Sequence, residues 1–472
     1  MSRIGTGAPA IGLAAMMAFG AVQAATLDDV AKAMGAASLE RIEFSGTGSF
    51  FAIGQSHRPG VDWPRMNLQS YRRTADYANA ATSVDFGVTQ ALDPPRGGGT
   101  QPISGLQRRG GGVVGDAAWN VAGPIMVASG PAAHLHDLWT TPHGMVKAAL
   151  ANKAAISGNS FEVAQAGRFK ARATLDAQNR VAKVESWMDN PVLGDMAVVT
   201  EYSDWKDHGG VAFPARIKQS MGGHPVLDMA VTEVKVNGAA VAKPERIVQT
   251  PIQVAVDKVA EGVWFIHGGS HNSAAIEMRD HVVMYEAPLG DARTNAVIEV
   301  IQKTIPGKPI RYVVNSHHHF DHSGGLRAAA AAGATIVTQA MNKTYFEAAY
   351  AAPRTIAPDT LAKSGKQAQF LSFEDKHVLT DGERTIEIHR LQGNLHNDAL
   401  TVAYLPKEKI MILADGYSPR DPITAVATNP NPFIVNQWHE FRRLGLAIDK
   451  ILPMHGRVTG LDELRMSAGI AN

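Results

Sequence analysis

The sequence predicts two units of different class, a mainly antiparallel β unit followed by an α/β layer unit. Three observations carry the prediction. Between Arg41 and Val236, segments of alternating or β-rich character succeed one another across turn signals. Beyond Pro251, strand-like and helix-like segments alternate instead. Where one of those later strands runs out, residues Ser316 to Gly325 read Ser-His-His-His-Phe-Asp-His-Ser-Gly-Gly. At 472 residues the chain is too long for one ordinary domain. The expected division is an export signal over 1–24, a β-rich unit over 25–240, a linker over 241–251 and an α/β unit over 252–472.

The first 24 residues carry Arg3, an apolar run from Ala8 to Gly20, and Val22-Gln23-Ala24 with small residues where a signal peptidase reads. The run is shorter than the roughly 20 residues that span a membrane. A cut near Ala24 is expected, with an uncleaved anchor as the alternative; the cut gives a periplasmic or secreted protein with no transmembrane span in its mature form.

In the first unit Arg41 to Ile53 opens the β series. Phe169 to Leu175 and Val181 to Met188 flank the turn-like Asp176-Ala-Gln-Asn179, a hairpin signal. Met196 to Tyr202, Phe213 to Ser220 and Leu227 to Val236 continue it, with Gly209-Gly210 and Gly222-Gly223 as turns. One helix stands out: Thr141 is a cap, Pro142 fits the first helical position, and Met145 to Lys153 is rich in helix formers. The stretch Pro94 to Gly115 holds Arg96-Gly-Gly-Gly99 and Arg108-Arg-Gly-Gly-Gly112. It is expected to form no regular element, only a mobile surface loop, and it lacks the Lys-Ser/Thr end of a phosphate loop. His134-Leu-His136-Asp137 echoes the histidine cluster, but residues two apart on a helix face different ways, so it is read as coincidence. The unit's sheet with a covering helix is faintly similar to periplasmic lipoprotein-carrier half-barrels.

In the second unit Val263 to Ile266 and Ala274 to Met278 read as strands around a Gly-rich turn containing His271. His281 to Tyr285 is a third strand, Asn295 to Thr304 a helix, Arg311 to Asn315 a buried strand and Thr335 to Thr338 another. If the chain stays extended past Asn315, the two-residue period places His317 and His319 on one side and His318 on the other. Asp321 and His322 follow, then Gly324-Gly325 as a sharp turn into an alanine-rich helix. Such a density of imidazoles beside a carboxylate predicts a metal site. With no cysteine in the chain, the donors are nitrogen and oxygen alone. Further donors stand at or just beyond apolar segments next to glycine: His396 after Gly393, Asp415 before Gly416 and His455 before Gly456.

A net charge of +1, with no long basic stretch, argues against a nucleic-acid partner and leaves a small-molecule substrate.

With these residues in hand, the second unit resembles the metallo-β-lactamase superfamily over roughly 252–472, through His317-x-His319-x-Asp321-His322, then His396, Asp415 and His455. The resemblance implies an αββα sandwich with its site where the two sheets meet. It implies one metal on His317, His319 and His396, a second on Asp321, His322 and His455, and Asp415 bridging them. Two divalent ions, expected to be zinc, would share a water whose pKa falls to about 7 and which attacks an acyl carbon, Asp321 orienting it or moving its proton. The expected enzyme is an exported hydrolase of an ester, lactone or β-lactam. The competing readings are a mononuclear iron sulfur dioxygenase of the same superfamily and an amphiphile-binding protein. His271 is read as a groove residue or a turn residue, and Tyr417 as an oxyanion donor or, preferably, a packing residue.

Overall fold

The computed structural model describes residues 25–165 and 169–471, so the expected export signal lies outside the described residues. The first half forms a thirteen-stranded sheet in which every pairing is antiparallel. Its first long strand, Arg41–Phe51, pairs in the middle of the sheet with its last, His224–Val236. Alternation explains the burial: Ile42 and Phe44 point into the core while Arg41 and Glu43 stay partly exposed.

Three helices, Leu27–Met34, Ala132–Trp139 and Pro142–Ala151, complete that core, where Val30, Met34, Leu138 and Met145 meet Ile42, Phe44 and Phe213. Thr141 caps the third as its sequence implies, its hydroxyl accepting from Gly144 N at 3.1 Å. The His134-Leu-His136-Asp137 echo lies on the second helix and is structural. Asp137 pairs with Arg73 at 2.8 Å, and His136 bonds the Ser186 hydroxyl at 2.8 Å.

The expectation of a loop throughout Pro94 to Gly115 is wrong. Gln107–Val114 is a strand, with Gly111 opposite Val84 and Val113 opposite Thr82. The glycine run reads as a breaker in isolation, but here a missing side chain is what the neighbours require. A Cβ on Gly112 would stand 2.7 Å from Cζ2 of Trp119 and 2.5 Å from the Thr82 carbonyl oxygen. The upstream part, Arg96 to Gly99, remains irregular but packs on the second half, with Gly97 N donating to Leu395 O at 2.8 Å.

The second half is an αββα sandwich. A seven-stranded sheet runs in order Ala255–Ala260, Val263–His267, Ser273–Glu277, Val282–Tyr285, Ile310–Val314, Thr335–Gln339 and Gln369–Phe373, the last four mutually parallel. A five-stranded sheet runs Lys376–Thr380, Thr385–Arg390, Thr401–Leu405, Ile410–Leu413 and Lys450–Pro453. Val283, Tyr285 and Val314 of the first sheet pack against Ile388, Ala403 and Ile412 of the second. Helices Asp291–Thr304 and Leu326–Ala331 cover one outer face, and Pro432–Arg443 with Leu461–Ser467 the other. The first of these begins four residues ahead of the expected Asn295.

The chain does turn at Gly324-Gly325 into helix Leu326–Ala331, but without left-handed backbone, since neither glycine has a positive φ. They are small for packing: a Cβ on either would overlap the Leu289 carbonyl or the Thr294 side chain. Several bonds join the halves. Arg354 donates to the Asn190 and Val192 carbonyls at 3.1 and 2.7 Å, and Asp195 accepts from Thr355 N at 2.9 Å.

Candidate metal centre

Strands Val282–Tyr285, Ile310–Val314, Ile410–Leu413 and Lys450–Pro453 end at one edge of the sandwich, and the residues just beyond them converge. Ligand-type atoms of His317, His319, His396 and Asp415 all lie within 4.8 Å of one another, and so do those of His271, Asp321, His322 and His455. Every residue expected from the sequence to bind metal is therefore brought together. One carboxylate stands between the groups: Asp415 Oδ2 is 2.7 Å from His396 Nε2 and 3.2 Å from both His317 Nε2 and His322 Nε2, while Oδ1 is 3.0 Å from His455 Nε2. Asp415 holds that position at φ 50, in the left-handed region that few side chains enter, and its carbonyl accepts from Gln437 Nε2 at 2.6 Å.

The imidazoles are oriented from behind. His317 Nδ1 meets the Ser316 hydroxyl at 2.7 Å, His322 Nδ1 donates to Glu286 Oε2 at 2.6 Å, and His455 Nδ1 donates to Ser270 O at 2.9 Å. In each case Nε2 is left facing the centre, the arrangement that fixes a ligand tautomer. His319 is turned the other way: Nε2 donates to Ser56 O at 2.8 Å, and Nδ1 is buried with no partner. His396 Nε2 faces His317 Nε2 at 3.4 Å, and His455 Nε2 faces His322 Nε2 at 3.1 Å. Facing lone pairs and an orphaned buried nitrogen are unfavourable alone, and a cation between them satisfies all of them. The donor set thus fits two divalent ions held by nitrogen and oxygen.

For His317, His319 and Asp415 the electrostatics run the same way, whereas at His322 burial is outweighed by Asp415, Asp321 and Glu286, which raise its pKa well above the ordinary value. Burial, then the neighbouring His319 and His322, holds the His317 pKa well below its ordinary value. Burial, then His396, brings His319 down to about 3. Both are neutral donors at working pH. Burial opposes charge on Asp415, but His322, His396 and His455 outweigh it and keep its carboxyl well below the usual range.

His318 points away, as the two-residue period requires, to the Ser56 hydroxyl at 2.9 Å and Asn397 at 3.1 Å. Tyr417 packs in the core of the second sheet, with its hydroxyl 3.5 Å from Thr459 Oγ1. His271 does more than turn the chain. With Nδ1 beside the Ser270 hydroxyl at 2.9 Å, its Nε2–H donates to Asp321 Oδ2 at 3.1 Å.

Two contributors escaped the sequence reading. Glu286 is fully buried just past Val282–Tyr285, with φ 67, and accepts from Ser316 N at 2.6 Å as well as from His322. A lone acid at a strand end was the signal available for it. Gln55, which follows the first strand of the other half, donates from Nε2 to Asp321 Oδ1 at 2.8 Å and accepts from Gly99 N at 2.9 Å. No local pattern marks it. Its loop is locked down by Phe320 N donating to Gly54 O at 3.2 Å and Asp398 N donating to His57 O at 2.9 Å. Both halves line a groove of about 750 Å³ over the centre, the first through Phe50, Gln55 and Arg109 and the second through His396, Arg420 and Phe433.

Among known families, the model described as "Metallo-beta-lactamase superfamily" matches residues 267–401. Solved structures similar to the chain include a metallo-β-lactamase from Pontibacter korlensis, 18% identical, with TM-score 0.34, covering 46% of this chain and 97% of that one. One from Hirschia baltica is 19% identical, with TM-score 0.35, covering 46% and 96%. Rubredoxin oxygen:oxidoreductase from Desulfovibrio gigas is 17% identical, with TM-score 0.36, covering 45% and 61%. No curated protein matches the chain.

Proposed function

With its second half a metallo-β-lactamase superfamily domain, we propose that the chain is an exported dinuclear metal-dependent hydrolase that opens an ester, lactone or β-lactam type acyl bond. His317, His319 and His396 would hold one ion, Asp321, His322 and His455 the other, with Asp415 shared, and zinc suits these donors. When bound, such a pair supplies Lewis acidity and a water that ionises near neutral pH.

The chain's own residues do the rest. Asp415 stays ionised and keeps both sets of imidazoles aimed at one point. Gln55 Nε2 and His271 Nε2 hold the two oxygens of Asp321 at 2.8 and 3.1 Å, fixing the carboxylate that receives or relays the proton of the attacking water. Phe50, Ile53 and Phe433 line the groove, and their apolar surface helps exclude bulk water from the substrate.

The observation that carries this reading is the single Asp415 oxygen within 3.2 Å of histidines from both groups. Export rests on the apolar, small-residue pattern of the first 24 residues. The test is a panel of aryl esters, lactones, β-lactams and phosphodiesters offered to the zinc-loaded full chain. Acyl hydrolysis that disappears in His317→Ala is expected. A protein with two ions bound that cleaves no acyl substrate contradicts the reading.

A further inference from the structure

Arg108 and Arg109 are neighbours on strand Gln107–Val114, so their side chains take opposite faces. Arg108 pairs with Asp85 on the exposed face. Arg109 turns into the groove over the metal centre and has no carboxylate partner among the described residues. It is half-buried, and its Nη2 donates to Gly99 O at 3.0 Å and to the Thr100 hydroxyl at 2.9 Å. Those bonds tie it to the centre through an unbroken chain: Gly99 N donates to Gln55 Oε1 at 2.9 Å, and Gln55 Nε2 donates to Asp321 Oδ1 at 2.8 Å. The guanidinium has five donors in a fixed fork, and its other nitrogens make no bond to the described residues. The carboxylates lining the groove, Asp321 and Asp415, are already engaged by imidazoles. Arg420, an exposed residue of the groove lining from the second half, has no acidic partner among the described residues either.

An unpaired guanidinium held in a partly desolvated groove is unfavourable until an anion reaches it. Resting on the hydrolase reading, we propose that the substrate carries a carboxylate remote from its scissile acyl bond, and that Arg109 binds this carboxylate. The first half of the chain is then part of the substrate site, supplying the residue that chooses among acyl compounds. Apolar Phe50, Ile53 and Ile434 leave room for a hydrocarbon segment between the two ends.

The test compares the aryl monoester of succinic acid with the matching aryl butyrate, which differ in one carboxylate, on the zinc-loaded full chain. The wild type should favour the succinate by at least tenfold in kcat/KM. That ratio should fall at least tenfold in Arg109→Gln, mostly through KM, and recover in part in Arg109→Lys, because a charged hydrogen bond is lost and then partly restored. A wild type that prefers butyrate overturns the proposal, as does an Arg109→Gln variant that lowers both esters equally. A second measurement separates this from failure of the hydrolase reading. The inert aryl amide of succinic acid is titrated calorimetrically into both proteins. Binding about tenfold weaker to Arg109→Gln supports the carboxylate site even if neither ester is cleaved, and equal binding sinks it.

Discussion

Replacing Glu286 by glutamine changes one oxygen to nitrogen in a fully buried side chain, and the consequence can be worked through atom by atom. The native carboxylate accepts twice, from Ser316 N and from His322 Nδ1, both at 2.6 Å. An amide has one acceptor and one donor. If its oxygen stays on Ser316, its NH2 faces His322 Nδ1 and drives the imidazole proton to Nε2, the atom proposed to bind a metal. If it flips, its NH2 abuts the Ser316 N–H. Either way one charge-assisted bond of about 1.5–3 kcal/mol is lost. Loss of such an outer partner weakens a metal site by about 10–100-fold. The assay is titration of the full chain with zinc against a fluorescent chelator, with a thermal melt to show that the variant folds. Of the two proposed ions, the one assigned to Asp321, His322 and His455 should weaken by that factor while the other holds within about threefold. Equal weakening of both, or no change in either, would refute the view that Glu286 acts by setting the His322 tautomer.

Two further outcomes follow from geometry away from Glu286. A Cβ on Gly98 would stand 2.9 Å from His319 Cε1 and overlap the Gln55 amide, so Gly98→Val should cut acyl hydrolysis at least tenfold while the unfolding transition persists, checked by kinetics and circular dichroism. His143 lies fully buried against Phe213 with Nε2 bonded to Met34 O at 3.0 Å, and burial brings its pKa down to about 4 from 6.5. Because the unfolded chain binds this proton more readily, the group's contribution is complete above pH 6.5 and is lost as pH falls toward 4. The loss is at most about 3 kcal/mol. Denaturant unfolding of His143→Leu should therefore depend less on pH than the wild type across that window, and an unchanged difference between pH 7 and pH 4.5 would count against it.

What could be read from the sequence divides by chain distance. His317, His319, Asp321 and His322 announce themselves because one strand end places them within six positions, and a period of two already separates His318 from its neighbours. His396, Asp415 and His455 are visible because each sits beside glycine past an apolar run, and for Asp415 and His455 that run is a parallel strand, whose end is where such sheets present ligands. Gln55 is another matter. It lies 266 positions from the carboxylate it holds, after a strand whose alternation speaks only of its own sheet. Gly98 and the Gln107–Val114 strand were obscured for a related reason: glycine signals freedom locally, whereas here it is required by a Trp119 ring and a His319 ring brought in from elsewhere. His271 was half legible, a histidine in a turn whose acceptor only the fold could supply.

As proposed above, histidines and carboxylates from several strand ends form two adjoining ion sites sharing Asp415. Native mass spectrometry of the zinc-titrated full chain, run beside its His319→Ala and His455→Ala variants, tests it directly. The wild type should carry two ions, and each variant one, with Asp415→Ala losing both at the same free zinc. A wild-type chain that takes up less than one ion, or single variants that still hold two, would contradict it.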